Sequence, residues 1–286
     1  MRRMSVSTPW FVDAFTNSYL EVYGHRDETS ARREVQGALN LLRHDGSQGR
    51  LLDLCSGAGR HSRAFRLAGC PVTCFDLSPD LVRQSAELGL PTVRGDMRAL
   101  PFAGGSHAAV ACLFSSFGYF DTDAEHQRTL CEIARVLAPG GRALLDLMDR
   151  DTVRAQLRPQ SVEVMEGRTI EVERALTDDG TRVEKAVRLR RSGAPTQLWQ
   201  ESVRLFTADE LQLLANGAGL IVERTCGDFE GRPHVPGQTR RLLLLRKPLI
   251  PAGTDLPPSA CDATPGAAAG AARTAPAAPP APRPGF

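Results

Sequence analysis

The chain has 286 residues, of which 24% are charged, and its formal net charge is +2. This length allows a large buried core, and so small a net charge requires no polyanionic partner. The seven cysteines are scattered without a Cys-x-x-Cys pair or a Cys/His ligand spacing, which argues against a disulfide framework and against a metal site. No apolar run is long enough to span a membrane and no secretory signal is visible, so we expect a cytoplasmic protein with no membrane partner.

The first 45 residues predict a helical region ahead of the main fold. Segment 9–42 mixes aromatic and apolar residues with charges at helical spacing, and 27–42 is typical of a single helix. Its aromatic side chains have no partner within the segment itself. We therefore expect residues 1–45 to form a lid over the site described below.

From residue 51 onward, strands and helices alternate. The predicted strands lie at 51–54, 72–75, 92–94, 109–114 and 142–147, and the predicted helices at 60–68, 79–88 and 124–137. Ser78 followed by Pro79 marks one helix start, because serine caps a helix and proline suits its first position. Repeated β-α units of this length indicate an α/β fold with a doubly wound, mostly parallel sheet.

The pattern changes between about 160 and 206. Apolar and charged residues alternate on both sides of Asp179-Gly180, which is typical of an antiparallel β insertion with one solvent-facing side, and a further strand is predicted at 197–206. A helix at 207–218, opened by Thr207 and Glu210 as in a capping box, and strands at 220–225 and 241–246 complete a domain over 46–250. The Ala/Pro-rich tail, 251–286, is expected to be disordered.

The stretch LLDLCSGAG at 51–59 combines a strand, a glycine turn and the start of a helix. In an open α/β sheet such a turn forms one wall of a nucleotide pocket, at the carboxyl ends of the strands. Three acids fall at this edge, one per strand: Asp53, Asp76 and Asp96. Their register predicts a nucleotide-binding site.

The acids also favour one nucleotide over another. Asp76, after the second strand, is placed to accept both ribose hydroxyls, and Asp96, after the third, the exocyclic amine of adenine. Asp53 precedes the glycine turn, where a carboxylate suits an ammonium group and repels a pyrophosphate. A dinucleotide fingerprint would also have a third glycine where Ser62 stands. The constellation predicts S-adenosylmethionine as the cofactor, ahead of NAD.

Five segments resemble motifs of the class I S-adenosylmethionine-dependent methyltransferases of the small-molecule type: LLDLCSGAGRHS, VTCFDLSPDLV, VRGDMRALPF, AAVACLFSSFGYF and EIARVLAPGGRALLDL. The resemblance implies a methyltransferase domain with a seven-stranded sheet, in which the last strand runs antiparallel between the two before it. Cys55 stands where the family usually has its first glycine. The cofactor-binding residues that the resemblance implies are Asp53, Cys55, Gly57, Gly59, Asp76, Leu77, Asp96, Met97 and Phe114.

The fourth strand indicates the type of acceptor. Segment 115–118 reads SSFG where many methyltransferases of nucleic acid bases carry an (N/D)PP(Y/F) motif. We therefore expect a small-molecule methyl acceptor rather than a nucleic acid partner. The sequence leaves the oligomeric state open between a monomer and a homodimer. Elements expected to meet at this edge supply the candidate substrate-binding residues, which are Tyr19, Arg26, Ser116, Tyr119, Met148, Asp228 and Phe229.

Few residues are candidates for a catalytic base. His61 follows the glycine turn and Tyr119 follows the fourth strand, and both are weak candidates. Methyl transfer by direct displacement depends mainly on alignment in a dry site and needs neither a metal nor a covalent intermediate. Two alternatives stay open: an RNA methyltransferase with Arg188, Arg190 and Arg191 as a binding patch, and a non-catalytic, cofactor-binding regulatory subunit.

Overall fold

A computed structural model of the chain describes residues 8–23, 28–165 and 167–249. The helices are α1 (Trp10–Asp13), α2 (Asn17–Tyr23), α3 (Glu28–Leu42), α4 (Arg60–Leu67), α5 (Pro79–Glu87), α6 (Asp123–Val136), α7 (Arg150–Gln156) and α8 (Ala208–Gly217). The strands are β1 (Leu51–Leu54), β2 (Val72–Asp76), β3 (Thr92–Arg94), β4 (His107–Cys112), β5 (Leu137–Met148), β6 (Gln160–Met165), β7 (Arg168–Leu176), β8 (Arg182–Arg191), β9 (Gln197–Arg204), β10 (Ile221–Cys226) and β11 (Arg240–Arg246).

Seven strands form one sheet in the order β10-β11-β5-β4-β1-β2-β3. Strands β1 to β5 pair in parallel, whereas β11 is antiparallel to both of its neighbours, β10 and β5. The predicted fold class is confirmed, including the reversed last strand between its two predecessors. The carboxyl ends of β1 to β4 therefore meet at one edge of the sheet, where the sequence predicts the nucleotide site.

Helices cover both faces of this sheet because successive strand residues point to opposite sides. Leu51, Ala109 and Leu144 face the side covered by α3 and α4. Leu52, Val110 and Leu145 face the other side, with α6 and α8. All six of these side chains are almost fully buried, which makes the sheet the centre of the core.

The predicted helix starts are confirmed by their caps. The Ser78 hydroxyl accepts a hydrogen bond from the amide of Leu81, with Pro79 at the first helical position of α5. Thr207 and Glu210 exchange both bonds of a capping box at the start of α8. Helix α6 ends at Val136, earlier than predicted, because the chain from Leu137 already pairs with β4.

The insertion forms a separate antiparallel sheet in the order β6-β7-β8-β9. Two of its elements were not predicted as such: β6 at the edge of this sheet, and α7 ahead of it. Its inner face packs Val172 and Val187 against Val22 of α2. The second sheet is thus joined to the N-terminal helices, which lie between it and the first sheet.

The domain bounds 1–45 and 46–250 stay predictions, and the predicted tail 251–286 lies outside the described residues. Within the parts of the chain that the structure describes, no helix is both long and apolar enough to cross a bilayer.

Candidate active site

A cavity of about 330 Å³ lies at the carboxyl ends of β1 to β4, beneath α1 and α2. Its polar side comes from the glycine turn and from the ends of β2 and β3. Its apolar side comes from the N-terminal helices and from the segment after β4. The lining residues are Phe11, Phe15, Tyr19, Leu20, Tyr23, Cys55, Ser56, Gly57, Ala58, Arg60, His61, Phe75, Asp76, Leu77, Leu81, Gly95, Asp96, Met97, Leu113, Phe114, Ser116, Tyr119 and Phe120.

The turn after β1 is built from residues in the left-handed region. Cys55, Gly57 and Gly59 have φ angles of 60°, 57° and 85°. Only glycine adopts this region without steric cost, so Cys55 carries backbone strain that a glycine would avoid. At Gly59 an added Cβ would also lie 2.7 Å from Leu90 Cδ1 and 3.1 Å from Ser85 Cβ on α5, so this glycine allows α4 to start close to α5 rather than lining the cavity.

Asp53 lies under the turn and not on the cavity surface. Its carboxylate is 2% exposed and accepts a hydrogen bond from the Ser62 hydroxyl at 2.5 Å. Burial raises the pKa of Asp53 to about 7, and the Ser62 bond opposes this only in part. A cationic ligand above the turn would favour the ionised form of this carboxyl group.

Asp76 joins the glycine turn to α5. One carboxylate oxygen accepts the Gly57 amide at 2.8 Å, and the other accepts the Ser78 amide at 2.9 Å. Burial raises the pKa of Asp76 although both amides favour its ionised form. Asp76 therefore shapes the turn while it also lines the cavity.

Asp96 is held by the neighbouring Arg98. The guanidinium donates to both carboxylate oxygens of Asp96 at 2.5 to 3.1 Å, and it reaches Glu125 of α6 at 2.5 Å. Burial alone would raise the pKa of Asp96, but the hydrogen bonds and charge of Arg98 outweigh it and leave the pKa below its usual value. Asp96 is therefore a fixed, ionised carboxylate at the cavity wall.

Phe114 occupies a strained position just after β4. Phe114 and Ser115 have φ angles of 64° and 57°, which are rare for residues other than glycine. Asp146 on β5 holds this backbone, because its carboxylate accepts the Phe114 amide at 3.0 Å and its carbonyl accepts the Ser115 amide at 2.9 Å. These two hydrogen bonds hold the strained backbone and thereby place an aromatic ring at the cavity wall. Such strained residues are common at functional sites.

A group of charged side chains surrounds the Phe114 ring. Arg60 lies 4.8 Å above the ring centre, and His61 stacks on the ring at 5.4 Å. Both contact the carboxylate of Glu34 on α3, at 3.1 Å for Arg60 and 2.9 Å for His61. Burial lowers the pKa of His61, although Glu34 opposes this. His61 is consequently a neutral residue engaged by Glu34 at neutral pH.

Aromatic rings form the wall opposite the glycine turn. Phe15 contacts Tyr19 at 4.8 Å and stacks on Tyr119 at 5.4 Å, and Tyr19 contacts Tyr23 at 4.4 Å. The Phe15 carbonyl also accepts a hydrogen bond from the Ser78 hydroxyl at 2.5 Å, which ties this segment to the start of α5. The N-terminal segment thus closes the cavity above the turn.

The structure brings most of the predicted site residues together. Those that line the cavity are Tyr19, Cys55, Gly57, His61, Asp76, Leu77, Asp96, Met97, Phe114, Ser116 and Tyr119. Those that do not line it are Asp53, Gly59, Met148, Asp228 and Phe229. Arg26 lies outside the described residues.

Three residues of the second group have other contacts. Met148 packs beside the cluster of Val183, Val203 and Leu205 under the second sheet. Asp228 pairs with Arg232 in its own loop. Phe229 packs with the apolar cluster that α3 joins.

Sequence reasoning missed several lining residues. Arg60 directly follows the glycine turn, and this position was a usable signal. Leu81 and Leu113 reach the cavity only through packing between elements, so no local pattern marks them.

Comparison with known proteins agrees with this geometry. A sequence model of the methyltransferase domain family matches residues 51–141. Over 203 residues the chain is 30% identical to the cypemycin N-terminal methyltransferase of a Streptomyces species. The aligned region covers 69% of this chain and 82% of that protein. The chain belongs to the class I S-adenosylmethionine-dependent methyltransferases.

Solved structures show the same fold. The CcbJ methyltransferase from Streptomyces caelestis superimposes with a TM-score of 0.71 at 16% identity, covering 84% of this chain and 98% of that one. CalS10 from Micromonospora echinaspora, an amino pentose methyltransferase solved with S-adenosylmethionine bound, gives a TM-score of 0.61 at 21% identity, covering 82% of this chain and 98% of that one.

Uncharacterised mycobacterial proteins are 37% identical to this chain over 99 residues, and the match spans 35% of their length.

Proposed function

We propose that this methyltransferase transfers a methyl group from S-adenosylmethionine to a small-molecule acceptor by direct displacement. The observation that carries this proposal is that the glycine turn, Asp76 and Asp96 line the same cavity as a wall of aromatic rings. Bound S-adenosylmethionine would supply an activated methyl group on a sulfonium. The residues of the chain bind and orient the two substrates and exclude water from the site.

The residues present fit this cofactor. Gly57 lacks a side chain and an added Cβ would meet only Leu81 at 3.9 Å, so the backbone is open to close approach by a ligand. Asp76 and Asp96 provide carboxylate oxygens for the ribose and the adenine amine, and Leu77 and Phe114 provide apolar surface. Asp53 lies beneath the turn and attracts the ammonium group without direct contact. The donor has an ammonium, a sulfonium and a carboxylate, and its net charge of +1 suits a cavity whose turn is surrounded by three acids.

A small acceptor is favoured over RNA by the charges of the second sheet. The three arginines that would form an RNA-binding patch are all engaged in ion pairs within the protein, two of them with one shared carboxylate. Arg188 and Arg190 pair with Glu171 at 2.8 and 3.2 Å, and Arg191 pairs with Glu21 at 2.6 Å. Paired cations release few counterions from a phosphate backbone, so they support little RNA binding.

We assign catalysis mainly to alignment. His61 contacts Glu34 and stacks on Phe114, and burial raises the pKa of Tyr119 well above its usual value. The raised pKa keeps Tyr119 protonated at neutral pH, so it does not serve as a base. We assign His61 a structural role, since Glu34 and Phe114 already hold its ring. The aromatic wall and the N-terminal helices would instead hold the acceptor in line with the sulfur–methyl bond and exclude water.

Label transfer tests the proposal. The full chain is incubated with S-adenosylmethionine carrying a radioactive methyl group and, separately, with a metabolite extract freed of macromolecules or with total RNA. We expect label in the small-molecule fraction, reduced at least a hundredfold in Asp76→Ala and unchanged in Asp209→Ala, a matched exposed acid in the first turn of α8.

Two results would contradict the proposal. Label confined to RNA would favour the nucleic acid alternative. Tight binding of the cofactor with no transfer to either fraction would favour the regulatory subunit.

A further inference from the structure

The inner face of the second sheet carries a row of charged residues between two apolar rows. Arg174, Lys185 and Glu201 pair across β7, β8 and β9, so they lie side by side on one face. One flanking row contains Val172, Val187 and Trp199, and the other contains Leu176, Val183 and Val203. A charged row inside an apolar packing face is costly to desolvate, which marks it as a candidate for function.

Glu201 connects this row to the cavity. Its carboxylate accepts hydrogen bonds from the Tyr23 hydroxyl at 3.1 Å and from the Trp199 indole at 3.1 Å. Lys185 approaches it at 3.5 Å, and the side chains of Lys185 and Glu201 are only 17% and 13% exposed. Because the Tyr23 ring lines the cavity, the negative charge of Glu201 lies one hydrogen bond away from it.

The Tyr23 ring already binds an ammonium group. The Lys185 nitrogen lies 4.4 Å from the ring centre, within the distance of a cation–π contact. Donation of the Tyr23 hydroxyl to a carboxylate shifts electron density into the ring, and this strengthens its attraction for a cation. Tyr23 and Glu201 together are therefore a cation-binding unit, and Tyr23 is its member at the cavity wall.

The rest of this wall also suits a cation. Phe15, Tyr19 and Tyr119 continue the ring contacts from Tyr23 along the cavity. The basic residues that line the cavity, Arg60 and His61, come from the glycine turn rather than from this wall. An anionic acceptor would face the negative π surfaces and Glu201, whereas an ammonium would be stabilised by both.

We propose that the acceptor is an amine, recognised by the rings of Tyr19, Tyr23 and Tyr119, and that Glu201 is a positioning residue that sets this preference through Tyr23. This inference rests on the proposed function. The bound ammonium first gives a proton to water, which frees the nitrogen lone pair. This lone pair forms the bond to the methyl carbon as the carbon–sulfur bond breaks and its electron pair stays on sulfur. Positive charge thereby moves from sulfur to the methylated nitrogen, where the rings stabilise it.

Binding of matched probes tests the inference. Full-length protein saturated with S-adenosylhomocysteine is titrated with benzylamine and with benzyl alcohol, which differ only in the amine. We expect benzylamine to bind about tenfold more tightly at pH 7.5. Glu201→Gln keeps both hydrogen-bond acceptor roles and removes the charge, and we expect it to abolish this preference.

The two partners of the ion pair give opposite predictions. Lys185→Met removes the competing ammonium but keeps the apolar stem, so we expect benzylamine affinity to rise several-fold. Glu171→Gln, on the outer face of the same sheet, is the matched control and leaves the preference unchanged. A purely structural role of the pair would shift both inner-face variants in the same direction and affect both probes alike. Thermal melting of each variant confirms folding.

The outcomes separate this inference from the proposed function. If S-adenosylhomocysteine binds but the amine and the alcohol bind equally, the amine inference is wrong and the proposed function stands. If Glu201→Gln keeps the preference, the assignment of Glu201 is overturned. If S-adenosylhomocysteine does not bind, the proposed function fails, and the same probe pair on the unloaded protein decides whether the aromatic wall selects an amine.

Discussion

The two sheets handle strain and buried charge in different ways. At the carboxyl edge of the first sheet, Cys55, Phe114 and Ser115 adopt positive φ angles without being glycine, and Asp53 is buried without an opposite charge in hydrogen-bonding contact. In the second sheet the positive φ angles fall on glycines in the turns, such as Gly180, and its half-buried Lys185 and Glu201 pair with each other. Strained and isolated groups are stable only where the surrounding structure holds them, and here they surround the cavity.

The largest effect should come from the glycine turn. We expect Gly59→Ala to lower the free energy of unfolding by about 4 kcal/mol, because it combines a left-handed backbone with overlap on Leu90. Gly57→Ala has the same backbone strain without overlap and should cost about 1 kcal/mol. Urea unfolding measures both variants. Equal losses would mean that the close approach of α4 and α5 is not limiting.

A buried acid without a cationic partner should be replaceable with a gain in stability. Asp53→Asn keeps the acceptor for Ser62 and removes the charge. Because the folded pKa of about 7 exceeds the unfolded value, the wild type loses stability as pH rises from about 4 through 7. We expect the variant to gain about 3 kcal/mol at pH 8 relative to the wild type. No gain in urea unfolding at pH 8 would contradict the isolation of Asp53.

The same variant should bind S-adenosylhomocysteine more weakly if Asp53 attracts the ligand's ammonium group. A gain in stability together with a loss of affinity would be the expected cost of keeping an isolated acid at a binding site. Calorimetric titration measures this second effect. Stronger binding by Asp53→Asn would show that the acid serves only the fold.

His126 on α6 provides the opposite pH dependence. It is fully buried among Phe117, Phe120 and Phe206, and burial lowers its pKa to about 4, with Arg182 and Arg204 contributing and Asp123 opposing. Below pH 6.5 the unfolded chain binds a proton that the folded protein excludes. The free energy of unfolding therefore decreases as the pH is lowered. Relative to the wild type, His126→Leu should gain about 2 kcal/mol between pH 6.5 and 4.5. If the two proteins differed by the same free energy of unfolding at pH 6.5 and at pH 4.5, a lowered pKa for His126 would be contradicted.

The smallest effect should come from a paired charge of the second sheet. Glu171 accepts from Arg188 and Arg190, and all three side chains are at least partly exposed. Exposed pairs contribute little, so Glu171→Gln should change the free energy of unfolding by less than about 0.5 kcal/mol. A loss comparable to that of Gly59→Ala would erase the contrast between the two sheets.

The first sheet could be predicted well because its signals are local. The glycine turn, Ser78–Pro79 and the three acids each lie within a few residues of a strand end, and strand order then places Asp76 and Asp96 at one edge. The hold of Asp146 on Phe114 could not be predicted, because these residues are 32 positions apart and meet only after β4 and β5 pair.

The aromatic wall illustrates the same limit. The aromatic residues of the first 45, Tyr19 among them, were assigned to a lid from composition and position. The approach of Tyr23 to Lys185 and Glu201 depends on where the second sheet folds back, which no helical or strand period specifies. Local sequence thus predicts the donor side of the site, whereas the acceptor side depends on tertiary packing.

The most direct test of the central claim is calorimetric titration of the full chain with S-adenosylhomocysteine, S-adenosylmethionine and NAD. Asp76→Ala and Asp209→Ala would be titrated alongside. We predict micromolar binding of both sulfur nucleosides, loss of that binding in Asp76→Ala alone, and no binding of NAD. Preference for NAD, or equal binding by wild type and Asp76→Ala, would contradict the assignment of this cavity to S-adenosylmethionine.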